Sequence, residues 1–365
     1  MRLEGCARVG TWVEDEREGR MATTDDLLLE YVRAHGAKIS GLAISAGTGG
    51  ERGLITEKHM LPSETVIFVP IGMIMTDADA MQLPAIRNLV DHAAAAALHL
   101  QRRPELLLML FIILDRTLAD EADDTANELR QHTSRRPHYA SLPQSYPEIP
   151  MEWPDAALDA LLPPARAAKV RAQRAERDEV RALLQTNAPA EYARAQRAWA
   201  RHHRWADPVT WAYATVRSRA FKISVEGVAR AALVPVADMA NHAPGLGVNA
   251  EWEYDGSRGG FRVQTVRPVA AGSELFYSYG HKPNGELLLH YGFTLPTPNA
   301  NADGPLDDAL LILDFPAAAT EPAAATIAPT AATATTTATE PDAVPTTATA
   351  PAPAAATAPA AATAP

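Results

Sequence analysis

Three stretches of the sequence bring together side chains able to do chemistry. The run "LVPVADMANHAPGLG" (233–247) is apolar as far as Asp238, then sets Asn241 and His242 side by side before a Pro/Gly turn. Asp, Asn and His all satisfy backbone groups in turns, so turn chemistry accounts for them without a ligand. They could also grip one. Asp238 and His242 stand four apart and would converge on a metal if the segment were helical, but no third ligand is recognisable. The run "ELFYSYGHKPNGELLLHYGF" (274–293) holds Tyr277 and Tyr279, two apart and so on one face of a strand, with Tyr291 on a following helix. Aromatic packing with hydroxyls at the surface explains them equally well. In "RSRAFKI" (217–223) a helical pattern ends on Arg217 and Arg219, which the helix dipole favours there, followed by Phe221, a core residue type. A serine or cysteine nucleophile is excluded: there is no G-x-S-x-G, and Cys6 sits in a terminal segment.

A fourth stretch, "GTGGERGL" (47–54), is rich in glycine and follows a strand-like run. A dinucleotide fingerprint needs G-x-G-x-x-G opening a helix, whereas counting from Gly47 the last position falls on Arg52. The alternatives are a plain hairpin loop, or a loop whose backbone approaches a cofactor closely, as glycine permits.

These stretches need elements to position them. Thr24 or Asp25 can cap a helix over "DDLLLEYVRAHG", with Leu28, Tyr31 and Val32 on one face and Gly36 as its stop. Short strand-like pieces follow: "ISGLAIS", "RGLITEK" and "TVIFVPIGMIM". From 83 to 222 the pattern is helical, and "LLLMLFIIL" (106–114) reads as a buried helix, too short to span a membrane. From 223 strands return in "ALVPVADM", "NAEWEYD", "GFRVQTVRPV" and "SELFYSYG". Strands separated by one helical block do not give the alternation of a doubly wound sheet, so the fold class is α+β. The domains expected are a flexible N-terminus (1–24), a first strand-rich part (25–82), a helical insert (83–222), a second strand-rich part (223–295), a short remnant (296–315) and a tail (316–365).

Composition narrows the function. The tail is almost wholly Ala, Thr and Pro and cannot bury enough surface to offset its ordering entropy, so it is expected to be disordered. A net charge of -11 over 365 residues argues against a partner such as nucleic acid. One cysteine rules out a disulfide framework and suits a reducing compartment. No signal peptide or membrane span is recognisable, so cytoplasm or nucleus is expected, with a chloroplast address lacking a clear transit peptide. The expected protein is a monomer without metal.

Taken in order, "ERGL", a helical insert, "RSRAF", "DMANH" and "YSYG…N.ELLLHYGF" resemble the SET-domain protein methyltransferases with a split SET domain, of the Rubisco large-subunit lysine methyltransferase type, over residues 25 to 300. The combination is specific, with the Asn-His pair followed some thirty-five residues later by Tyr-Gly and "N.EL…YGF". The resemblance implies small, mostly antiparallel sheets with a pseudoknot and an all-helical insert. It also implies S-adenosyl-L-methionine as methyl donor and a lysine side chain of a non-histone protein as acceptor. Carried over residue by residue, Tyr279 is the catalytic tyrosine. Asn241 holds the cofactor by its side chain and His242 by its backbone, while Glu51, Arg52 and Gly53 approach it by backbone. Arg219 touches cofactor and substrate, and Phe221, Asp238 and Tyr291 line the acceptor pocket. A related branch methylates a histidine of actin, but carries a polar residue in place of Phe221 and lacks the tyrosine of "YGF", so both residues favour lysine. A SET-like binding module without turnover is the competing class. The chain departs from the pattern after "YGF", where relatives continue into a helical substrate-binding domain and this sequence has only "LDDALLILDF" before its tail. The insert residues Arg166, Lys169, Arg171, Arg174 and Arg177 offer either a docking face or a solvated helix surface.

Overall fold

The computed structural model of the chain describes residues 13–14, 21–46, 51–92, 103–124, 135–202 and 207–296. Cys6, Gly47 to Gly50, residues 297–315 and the tail lie outside them. Strands β1 (Val13–Glu14) and β2 (Met21–Ala22) pair antiparallel ahead of helix α1 (Thr24–Ala34). The cap of α1 is Thr23, not Thr24 or Asp25. Thr23 Oγ1 accepts the Asp26 amide at 3.1 Å and Asp26 Oδ2 accepts the Thr23 amide at 2.9 Å. That reciprocal cap needs a carboxylate three residues on, which of the three candidates only Thr23 has.

Five short strands follow: β3 (Lys38–Ile39), β4 (Leu42–Ala46), β5 (Arg52–Thr56), β6 (Thr65–Pro70) and β7 (Met75–Thr76). β4 and β5 form an antiparallel hairpin with Ala46 opposite Arg52. The residues that follow the glycine-rich run therefore form a strand, not the helix that a dinucleotide fingerprint opens.

The helical part comprises α2 (Asp77–Ala80), α3 (Pro84–His92), α4 (Pro104–Asp124), α5 (Arg136–Ser141), α6 (Asp155–Leu161), α7 (Pro164–Asn187), α8 (Pro189–His202) and α9 (Pro208–Arg219). Proline opens five of these helices, at the position where its missing N–H is not needed. Every residue from Leu106 to Leu114 of α4 is buried, as a helix apolar all round requires. Trp199 of α8 and Trp211 of α9 close over the buried Arg116 guanidinium, with ring centroids 4.7 and 4.2 Å away. None of the described helices is long and apolar enough to cross a membrane.

After the helices come β8 (Phe221–Val225), β9 (Val228–Leu233), β10 (Asn241–His242), β11 (Ala250–Asp255), β12 (Gly260–Thr265), β13 (Phe276–Tyr277) and α10 (Asn284–Tyr291). The sheets mix strands from both sides of the insert, in the orders β7-β9-β8 and β11-β12-β6-β3. The two strand-rich parts thus share their hydrogen bonding and make one split domain. The run "ALVPVADM" is not one strand. β9 stops at Leu233, Val236 turns at φ 68° and ψ -46°, and Ala237–Met239 forms a single 3-10 turn. A β-branched residue rarely adopts that conformation, and here it sits fully buried immediately before the Asp238–His242 segment.

Residues 273–277 lie between two neighbours. On one edge, Leu275 N donates to Leu54 O at 2.8 Å and Thr56 N to Ser273 O at 2.9 Å. On the other, β10 pairs parallel with β13, Asn241 opposite Phe276 and His242 opposite Tyr277. This interleaving is the pseudoknot expected of the fold.

Candidate active site

The crossing of β5, β10 and β13 brings Arg52, Gly53, Asn241, His242 and Tyr279 together. Asn241 Nδ2 donates to Arg52 O at 3.1 Å and to Glu274 Oε1 at 2.7 Å. Both amide hydrogens are thereby used on groups that only accept, so Oδ1 faces away as a fixed acceptor. Gly53 must lack a side chain here: a Cβ would overlap Glu274 Oε1 and lie 2.9 Å from Asn241 Nδ2. Glu274 was not foreseen. Its sequence signal was a carboxylate inside the apolar run "ELFY", which burial makes costly unless it is paired. Asn249 braces the same crossing, donating to Glu274 O at 2.9 Å and accepting the Phe276 amide at 2.7 Å.

His242 contributes more than its backbone. Its Nδ1 accepts the Tyr279 amide at 3.0 Å, and its ring lies against that of Tyr279, centroids 5.2 Å apart. Burial lowers the His242 pKa from 6.5, so the neutral ring that this hydrogen bond requires is also the favoured one. Asp238, four residues before His242, is engaged elsewhere by one oxygen: its Oδ2 accepts from His138 Nε2 at 2.7 Å.

β13 ends at Tyr277, so Tyr279 lies beyond the strand on which both tyrosines were expected, yet the two phenols still reach one segment. Tyr277 OH donates to Ala237 O at 2.8 Å and Tyr279 OH to Ala240 O at 2.9 Å, on either side of Asp238. Tyr291 packs against Tyr279 at 4.8 Å, and Phe293 closes the group at 6.1 Å from Tyr291. Burial raises the Tyr279 phenol well above its ordinary value and pushes Tyr291 up to about 12. At neutral pH both remain O–H donors, so neither is a phenolate base.

Arg219, at the end of α9, donates from Nη1 to Asp238 O at 2.6 Å. Arg52 turns its side chain away from Gly53, pairing with Asp25 at 3.2 Å and donating to Ser141 O at 2.5 Å. Its carbonyl, not its guanidinium, faces Asn241. Glu51 precedes this backbone at the edge of β5. Phe221 departs from expectation. It packs in the core against Trp252, Phe261 and Tyr277 at 5.1, 4.7 and 5.9 Å, and among the described ring contacts it reaches Tyr279 only through Tyr277. As the first residue of β8, it is buried against rings carried by β11, β12 and β13.

The insert supplies partners that the sequence did not suggest. His138 and Ser141 of α5 meet Asp238 and Arg52, and Tyr146 lies within electrostatic range of Arg52 and Arg219. The basic residues of α7 are engaged within the chain. Arg166 and Lys169 reach Glu286 of α10 at 3.1 and 3.0 Å, Arg171 pairs with Asp159, Arg174 with Asp155, and Arg177 with Asp178. A docking face made of them is therefore largely neutralised; two of them instead anchor the helix that carries Tyr291.

Three buried polar atoms around Tyr279 have no partner: Asp238 Oδ1, Arg219 Nε and His242 Nε2. Folded proteins leave few such groups, and each costs about 1–3 kcal/mol, so their concentration around Tyr279 marks a place for a polar ligand.

No model of a known protein family matches the chain. It is 36% identical over 75 residues to the N-lysine methyltransferase SETD6 of Mus musculus, covering 20% of this chain and 15% of that protein. It is 34% identical over 110 residues to the chloroplastic ribulose-1,5 bisphosphate carboxylase/oxygenase large subunit N-methyltransferase of Pisum sativum, covering 26% and 22%. The chain thus spans less than a quarter of the length of these curated relatives. Among solved structures it is similar to the SET domain of LSMT bound to lysine and AdoHcy, with a TM-score of 0.57 and 20% identity over 76% of this chain and 58% of that one. Rubisco LSMT bound to AdoMet aligns with a TM-score of 0.56 at 19% identity. The interleaved strands, the helical insert and these likenesses together identify the fold: the chain has the split SET-domain fold that the LSMT structures show.

Proposed function

We propose that the protein transfers the methyl group of S-adenosylmethionine to a lysine amine of a non-histone protein. The observation that carries this is the crossing that sets Asn241, pinned through both amide hydrogens, beside Tyr279 and the unpartnered Asp238 Oδ1. The residues fit the cofactor. Asn241 Oδ1 would be an acceptor for its ammonium, and the backbone of Arg52, Gly53 and His242 beside it would supply further polar groups. When bound, the cofactor supplies an electrophilic methyl on sulfur. The lysine target follows the named activity of the similar proteins, and the Pisum sativum relative's name gives a large-subunit target outside chromatin.

The chain's own residues position and desolvate. A lysine of ordinary pKa ~10.4 needs roughly 4–5 kcal/mol to present a neutral amine at pH 7. Burial among Tyr277, Tyr279 and Tyr291 favours the neutral form. The carbonyl oxygens of Ala237 and Ala240 each hold a phenol hydrogen, which leaves the phenol oxygens as acceptors toward the amine. No protein base is needed beside the reacting nitrogen; the gain lies in alignment. Tyr291, stacked on Tyr279, presents an aromatic wall suited to an aliphatic lysine stem and so favours lysine over histidine.

Calorimetry with S-adenosylmethionine and with NAD, followed by tritium transfer to peptide arrays carrying Lys or His at the target position, tests the proposal. Binding of the first ligand alone and transfer to lysine are expected. Tight NAD binding, or transfer to histidine only, would overturn it.

A further inference from the structure

Helix α5 of the insert reaches the acceptor side of the site through a buried side chain. His138 lies on α5, a hundred residues before Asp238 in sequence, and is 1% exposed. A carboxylate only accepts, so His138 carries its proton on Nε2 and donates it to Asp238 Oδ2 at 2.7 Å. This hydrogen bond decides how the carboxylate is turned. With Oδ2 held, Oδ1 is the free oxygen, buried and unpartnered. Around it stand Arg219, which donates to the Asp238 carbonyl, and the phenols of Tyr277 and Tyr279, both of which feel the Asp238 charge. Without His138 the nearest cations, Arg52 and Arg219, would compete for both oxygens. The backbone of α5 is itself tied down, since Ser141 Oγ donates to His138 O at 2.8 Å and Ser141 O accepts from Arg52.

We propose that His138 is a positioning residue for the acceptor: it holds Asp238 so that Oδ1 faces the incoming amine and accepts one of its N–H groups. The inference rests on the lysine methyltransferase reading of the site. It predicts that His138 controls acceptor use and leaves cofactor binding alone, because its ring bonds Asp238, whereas the Asn241 amide is held by Arg52 O and Glu274 Oε1.

The test compares full-length wild type with His138→Phe and His138→Gln, using the lysine peptide that the wild type methylates best. His138→Phe should lose about tenfold or more in kcat/KM for the peptide while its affinity for S-adenosylmethionine, measured by calorimetry, stays within about twofold. His138→Gln, whose terminal amide can donate from nearly the same place as Nε2, should recover most of the loss. Equal loss of cofactor affinity and turnover would show a structural role and overturn the inference, as would wild-type kinetics in His138→Phe. Should His138→Phe lack a cooperative thermal transition, His138→Asn replaces it. Its shorter amide falls short of Oδ2, so equal turnover of the Asn and Gln variants would overturn the inference too. A wild type that binds the cofactor but methylates no lysine removes the functional reading along with it, whereas active wild type and unaffected variants remove this inference alone.

Discussion

The cofactor side and the acceptor side of the proposed site are held by different means. On the cofactor side, neighbouring strands do the holding: the Arg52 carbonyl, the bare Cα of Gly53 and the Glu274 carboxylate meet Asn241 where β5 and β10 flank residues 273–277. On the acceptor side, side chains of the helical insert do it, with His138 on Asp238 and α7 cations on Glu286 of the Tyr291 helix. A backbone crossing tolerates little variation because every strand hydrogen bond depends on it. An insert that meets the acceptor face through a few polar side chains can change that face without disturbing the cofactor clamp. Cofactor and acceptor binding should therefore come apart under mutation, and each of the following outcomes tests that separation.

The largest effect is expected at the junction itself. Tyr279→Phe should lower methyl transfer by roughly 10²-fold or more through lost alignment, with S-adenosylmethionine affinity within about twofold. Unchanged turnover would remove Tyr279 from its proposed role. Gly53→Ala comes next and belongs wholly to the cofactor side. The added Cβ overlaps the Glu274 carboxylate, so affinity for S-adenosylmethionine should fall about tenfold, or ~1.4 kcal/mol. Calorimetry showing the same affinity as wild type would mean that the close approach plays no part in binding.

His242 joins the two sides and makes the junction sensitive to acid. Its folded pKa lies below the ordinary 6.5, so the unfolded chain takes up a proton before the folded one does. Stability from this group is therefore fully present above pH 6.5 and declines as pH falls through that value towards the lower folded pKa. Protonating Nδ1 also removes the acceptor of the Tyr279 amide. Thermal unfolding across this range should show the decline, and His242→Asn, which keeps an acceptor without titrating, should flatten it; an equally steep decline in the variant would assign it elsewhere. The smallest effect is expected at Glu286, where three basic groups meet at a partly exposed carboxylate. Glu286→Ala should lower stability by about 1 kcal/mol or less and raise the peptide KM slightly, without touching cofactor affinity. A drop in cofactor affinity would contradict the separation of the two sides.

The ordered motifs, the two strand-rich parts around a helical block, the buried α4 and the Asn-His and tyrosine segments were all legible from residue type, spacing and resemblance, because each depends on local periodicity or on residues adjacent in the chain. The departures share one cause. Thr23 outcompetes Thr24 because the carboxylate that completes its cap lies three residues on. The strand through 232–239 breaks because burial of Val236 holds a turn that its own backbone preference opposes. Phe221 leaves the acceptor wall for an aromatic cluster whose members, Trp252 and Phe261, lie on later strands. Glu274 and His138 carry no periodic signal, and their partners stand 33 and 100 residues away. The sequence by itself therefore determined the fold class and the residues able to do chemistry. Only the tertiary structure decided which atoms of those residues are already engaged and which are left for a ligand, because a buried hydrogen bond is set by what the fold brings within about 3 Å and not by separation along the chain.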